Sequence, residues 1–110
     1  MSEGRKNDGG KPRWGLLPYD ALEEVVIVLT KGADVYGDRN WESGISFDRL
    51  FSAAQRHQIA WWQNRENFDK ESNLNHLAHA VAELLFLIAL QQRGKNEFDN
   101  RPCPNLTIQK

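Results

Sequence analysis

The sequence predicts an all-α fold, a small helical bundle completed by oligomerisation, and three observations carry that expectation. Apolar residues recur at helical spacing over residues 21–29 and again over 47–62. A third stretch, residues 76–90, is apolar on nearly every side. The segments between them are dense in turn formers and polar residues such as Asn and Asp, and the second stretch shows no strand alternation.

From the N-terminus, residues 1–12 form a flexible polar head rich in Gly, Lys and Asp. Pro18 suits the first turn of a helix over residues 18–36, with Gly32 as a stop or kink. Val26 to Val28 would also suit a strand. Residues 37–44 hold turn formers throughout and predict an ordered loop. Ser46 can cap a second helix over residues 47–63, on which Phe47, Leu50, Phe51, Ala54, His57, Gln58, Trp61 and Trp62 make one stripe. Residues 63–75 are a polar connection, and Asn73 or Asn75 caps a third helix over residues 74–93. Pro102, Pro104 and several Asn residues end regular structure, leaving residues 95–110 as a polar tail behind a helical domain at 13–94.

Composition excludes several classes of function. In 110 residues, 14 Lys+Arg against 15 Asp+Glu leave a net charge of -1, which gives no basic field for stable nucleic-acid binding. The longest apolar run, residues 84–90, falls far short of the roughly 20 residues that span a bilayer. A single cysteine, Cys103, and no charged segment leading into an apolar one point to the cytoplasm. A chain this short builds a small core, so a homodimer or homotetramer is expected to supply the missing burial.

The third helix carries the clearest chemical signal. At about 100° per residue, His76, His79 and Glu83 share one narrow stripe on an otherwise apolar helix. Polar groups are costly to bury without partners, and neutral imidazole is a good transition-metal ligand, so the stripe faces protein or a ligand. A structural hydrogen-bond network is the plainer account, and for His57, inside an apolar stripe, the favoured one. His-x-x-His alone is a weak motif, since zinc metalloproteases space their histidines four apart. On the first helix Asp20, Glu23 and Glu24 lie opposite Leu22, Val25, Val26 and Leu29. That side is either a solvated face or, with Ile27 and Lys31 beside the acids, part of a metal-phosphate pocket. Trp41, Trp61 and Trp62 are assigned to core or interface.

In order, the chain reads Arg13-Trp14, Leu16-Leu17-Pro18, Ala21-Leu22-Glu23-Glu24-Val25, Lys31-Gly32-Ala33, Tyr36-Gly37-Asp38-Arg39-Asn40-Trp41, Arg56-His57, Trp61-Trp62 and His76-Leu77-Ala78-His79-Ala80. This order resembles the phage-type dATP/dGTP diphosphohydrolases, which are MazG-like nucleotide pyrophosphohydrolases, over residues 11–90. The resemblance implies that residues 13–94 are an all-α catalytic domain cleaving a purine deoxynucleoside triphosphate between its α and β phosphates. It implies Mg2+, with Mn2+ as the alternative, held by acids on two neighbouring helices, commonly as Glu-x-x-Glu and Glu-x-x-Asp. Glu23 and Glu24 match the first set and Glu83 part of the second. His79 stands where an acid is common, and Asp69 and Glu71 are substitutes from the connection.

On that resemblance the catalytic set is Glu23, Glu24, His79 and Glu83, with His76 and Asp69 joining them as metal candidates. Lys11, Arg13, Lys31, Arg39 and Arg56 would grip phosphates, with His57 beside them. Asn40 would meet the base edge while Tyr36 or Trp41 stacks on it. The implied setting is conversion of dGTP, with dATP next, either for 2-aminoadenine genome synthesis in a phage-infected host cytoplasm or for control of the nucleotide pool. The rival expectation is a non-enzymatic helical metal- or DNA-associated assembly module.

Overall fold

The computed structural model describes residues 3–104, so residues 1–2 of the head and 105–110 of the tail lie outside the described part. Three helices form, α1 (Tyr19–Tyr36), α2 (Phe47–Gln63) and α3 (His76–Gln92). Short 3-10 turns at Trp14–Leu16, Asn40–Ser43 and Asn96–Phe98 flank them. Among the described residues the sole β-type pairing is one antiparallel bridge between Phe68 and Asn75.

Pro18 stands just before α1, where a missing N–H costs nothing, and its carbonyl accepts from the Leu22 amide at 2.9 Å. The helix passes through Gly32 and stops at Gly37, whose φ of 93° leaves helical space. A helical glycine costs only about 1 kcal/mol, so Gly32 alone does not end the helix. The Gly37–Gly44 loop is ordered, as its turn formers predict, and closes on the 3-10 turn at Asn40–Ser43. Gly44, at φ 109°, is required there twice over, because a Cβ would also run into the Phe98 ring.

Ser46 precedes α2, but its side chain makes no cap bond; Asn100 Oδ1 instead accepts from the Asp48 amide at 2.9 Å. The described part of the tail thus folds back on α2. Asn75 does cap α3, its Oδ1 accepting from the amides of Leu77 at 2.8 Å and Ala78 at 3.2 Å.

The core sits around α3 in two connected parts. Val25 and Val28 of α1, with Leu22, pack on Ala78 and Ala82, beside Leu74 and Phe86. Phe47 and Leu50 of α2 pack on Leu90, walled by Trp41, Ile45, Phe86, Leu87 and Phe98. The start of α2 therefore meets the end of α3, and its end, at His57, meets the start of α3, so the two run antiparallel. Buried alanines at 54, 78, 80 and 82 keep the helices close. The opposite arc of α3, Leu77, Val81, Leu84, Leu85 and Ile88, is left 36% to 49% exposed. No helix among the described residues is long and apolar enough to cross a membrane.

Candidate functional site

Antiparallel packing brings His57 of α2 against the polar stripe of α3. His57 Nδ1 lies 2.9 Å from His76 Nδ1, and the His57 ring stacks on His79 at 4.5 Å and 6°. His76 is 4% exposed and its Nε2 has no hydrogen-bond partner. The nearest acid to that nitrogen is Glu66, with Oε2 at 3.7 Å; the other oxygen of Glu66 pairs with Lys70 at 3.5 Å.

The connection between α2 and α3 completes the cluster. Arg65 and Asn73 adopt left-handed φ of 57° and 62°, turns that L side chains rarely make. The His76 amide bonds Asn67 O at 3.0 Å, and the Asp69 amide bonds Leu74 O at 2.7 Å, so residues 67–76 close into a tight hairpin-like loop. Within it Asp69 Oδ2 accepts from the Ser72 amide at 2.8 Å, and Ser72 Oγ pairs with His79 Nε2 at 2.7 Å. One donor atom each from His57, Asp69 and His76 then lie within 4.8 Å of one another, a spacing suited to a common metal ion.

The electrostatics follow from burial. Desolvation, with help from His79 and against the pull of Asp69, lowers the His57 pKa from 6.5 to about 4. Desolvation also lowers His79, again opposed by Asp69. Both rings are therefore neutral at pH 7. Burial would raise Asp69, but hydrogen bonds from Ser72 and the nearby His57 and His79 hold its carboxyl below the usual range. One turn beyond His79, Glu83 buries Oε1 with no partner, and desolvation lifts its pKa from 4.5 to about 7 while Arg56 pulls it down.

His76, His79 and Glu83 thus line the seam with α2, and His57 makes the hydrogen bond that its plainer account requires. Glu23, Glu24 and Lys31 are exposed on α1, and among the described residues Glu23, Glu24 and Glu83 form no cluster of the kind made by His57, Asp69 and His76. Arg56, exposed on α2, lies near enough to Glu83 for its charge to be felt there. Arg39 pairs with Glu42 at 3.4 Å, and Arg93 pairs with the same carboxylate at 2.7 Å. Trp41 stacks on Phe86 at 4.9 Å, with the Arg93 guanidinium 5.0 Å from its ring centre, which commits it to packing. Tyr36 and Asn40 stay exposed beside Gly37. Lys11 and Arg13 line an open depression with Asp8 and Gly15, and no hydrogen bond or ion pair among the described residues ties them to the seam. Sequence reasoning did not single out Ser72 and Glu66; an Asp followed three residues later by Ser is a turn signature that would have found Ser72.

A family model described as dATP/dGTP diphosphohydrolase, N-terminal, matches residues 1–101. A protein of Salmonella phage PMBT28 named dATP/dGTP diphosphohydrolase is 35% identical over 98 residues, which cover 89% of this chain and 33% of that relative. The chain spans about a third of the length of the curated relative it matches. No solved structure matches.

Proposed function

We propose, since the chain belongs to the dATP/dGTP diphosphohydrolase N-terminal family, that it hydrolyses purine deoxynucleoside triphosphates to the monophosphate and pyrophosphate. The observation that carries the reading is the seam between α2 and α3, where Glu83 keeps a buried, unpartnered carboxylate oxygen within reach of the Arg56 charge. A carboxylate and a cation at one place are what a triphosphate site needs. The preferred substrate is dGTP, then dATP.

The oxygen donors fit magnesium. Mg2+ is commonly held by one or two carboxylates together with substrate phosphates, so a closed protein cage is not needed. Glu83 on α3 would hold it together with substrate phosphates, with Glu23 and Glu24, which stand apart from Glu83 on α1, as the further carboxylates, and the ion would neutralise phosphate charge. Arg56 and Lys31 bind phosphate oxygens, with Lys11 and Arg13 reaching in from the head. Tyr36 and Asn40, exposed together at the end of α1, meet the base by stacking and by its polar edge. In the reaction, the water oxygen bonds to the α-phosphorus as the bond to the α–β bridging oxygen breaks, and pyrophosphate leaves.

A second copy of the chain covers the bare arc of α3, whose five large apolar side chains are each left more than a third exposed by the protomer. The phage relative favours a setting in an infected host, with the dGMP product available for 2-aminoadenine nucleotide synthesis.

The test is pyrophosphate release over a panel of nucleoside triphosphates with magnesium. dGTP and dATP should be consumed ahead of pyrimidine and ribonucleotide competitors, since a site built for a purine edge leaves its own polar groups unpaired with other bases. Equal consumption of dGTP and dCTP, or release of orthophosphate in place of pyrophosphate, removes this reading.

A further inference from the structure

We infer that His57, Asp69 and His76 form a binding site for a first-row transition-metal ion of the zinc, cobalt or manganese class, separate from the magnesium proposed at the glutamates. The inference does not rest on the nucleotide reading. It stands on the placement of three donors from two elements and the loop between them.

The donor set selects the ion. Two imidazoles and one carboxylate suit borderline divalent metals, whereas magnesium prefers oxygen throughout. Three protein ligands also leave positions open for water or a phosphate oxygen, the pattern of metal sites that act on a substrate.

Geometry narrows it further. The His57 and His76 Nδ1 atoms are 2.9 Å apart, and donors about 2.1 Å from a shared tetrahedral ion would be about 3.4 Å apart, so the rings need part by only about 0.5 Å to admit one. Without an ion, one ring donates its Nδ1–H to the other. His76 Nε2 lies 3.7 Å from a Glu66 oxygen, which favours the proton on that nitrogen and leaves His76 Nδ1 as the acceptor. Binding an ion then requires only that His57 move its proton from Nδ1 to Nε2, with no net change in charge on either ring. His76 is 4% exposed, and its one hydrogen bond among the described residues is the Nδ1 contact with His57, which an ion between the two nitrogens would replace.

The surroundings hold the donors in place. His79 stacks on His57 and is itself fixed by Ser72 Oγ at 2.7 Å, so it orients the His57 ring and stays outside the donor triple. Ser72 donates its amide to Asp69 Oδ2, leaving Oδ1 for an ion. Glu66 occupies the place of the carboxylate that commonly backs a metal-bound histidine. Two left-handed residues, Arg65 and Asn73, maintain the loop that delivers Asp69.

The experiment uses the full chain, stripped with chelator and titrated with Co2+ while visible d–d absorption is recorded. One ion per chain is expected, displaced by Zn2+ and unaffected by millimolar Mg2+. Asp69→Asn and His57→Gln should each weaken binding at least tenfold, and Glu66→Gln by about 10- to 100-fold. The double variant Glu23→Gln, Glu24→Gln should bind cobalt as the parent does, even if its hydrolase activity is lost. Circular dichroism checks folding, and should His57→Gln misfold, Asp69→Asn on the loop decides between site and no site. No cobalt band, a band unchanged in Asp69→Asn, or displacement by millimolar magnesium would each overturn the site.

Discussion

The two faces of α3 differ in what they hold. Its covered face buries Ala78, Ala80, Ala82 and Leu90 beside His76, with His79 and Glu83 in the same seam, while its bare arc holds Leu77, Val81, Leu84, Leu85 and Ile88. Small residues let α1 and α2 approach closely enough to confine polar groups, so the covered face is arranged for chemistry. The capacity for further burial is on the other side.

Glu83→Gln gives the largest contrast, because it should damage activity and help the fold. Losing the charge proposed to hold magnesium is expected to lower turnover by about 100-fold or more, as removal of a main electrostatic stabiliser does. Stability should move the opposite way. Burial raises the folded-state pKa of Glu83 to about 7 from 4.5, so its contribution is fully present below about pH 4.5 and is lost as pH rises through about 7. The amide removes that loss. In chelator, Glu83→Gln should therefore melt near the parent at pH 4.5 and higher at pH 8, by about 1 to 2 kcal/mol once solvent at the half-buried carboxyl is allowed for. Equal melting at both pH values would show that the carboxyl is not desolvated.

The bare arc is tested by charge. Val81→Asp places a carboxylate among the four remaining apolar side chains of the arc, and if a second copy covers them it should be buried there unpaired, at a cost of about 3 kcal/mol or more. Light scattering should then show the parent as a dimer or tetramer and the variant at monomer mass. A parent of monomer mass, or a variant that keeps its assembly, would leave this face open to solvent in the functional protein.

The fold is legible in the sequence because its signals are local and periodic. Expected spans at 18–36, 47–63 and 74–93 differ from the observed helices by no more than two residues at either end. The His76, His79 and Glu83 stripe is readable for the same reason. Partners of the stripe are not, because the antiparallel register of α2 on α3 is set by packing between Phe47, Leu50 and Leu90, and that register brings His57 to His76. Nor does local propensity reveal the loop at 67–76, since it depends on two non-glycine residues with left-handed φ. Asp69 stands among the substitute ligands that the sequence offers, yet neither its grouping with His57 nor the roles of Ser72 and Glu66 can be read from one dimension.

The smallest expected effect concerns how each helix begins, and it separates a side chain that resembles a cap from one that acts as one. Asn75 and Ser46 both precede helices and both have cap chemistry. Asn75 Oδ1 satisfies two orphan amides, while Ser46 satisfies none because Asn100 reaches the Asp48 amide from the tail. Asn75→Ala should thus cost about 1 kcal/mol, and Ser46→Ala should stay within about 0.5 kcal/mol of the parent. Urea titration measures both. The Asn75 variant should also loosen His76, the first residue of α3, so its imidazole resonances should shift in proton–nitrogen spectra while those of the Ser46 variant hold. Equal losses in the two variants would mean that the Asn100 contact does not replace the serine cap, and the tail would lose its assigned part in starting α2.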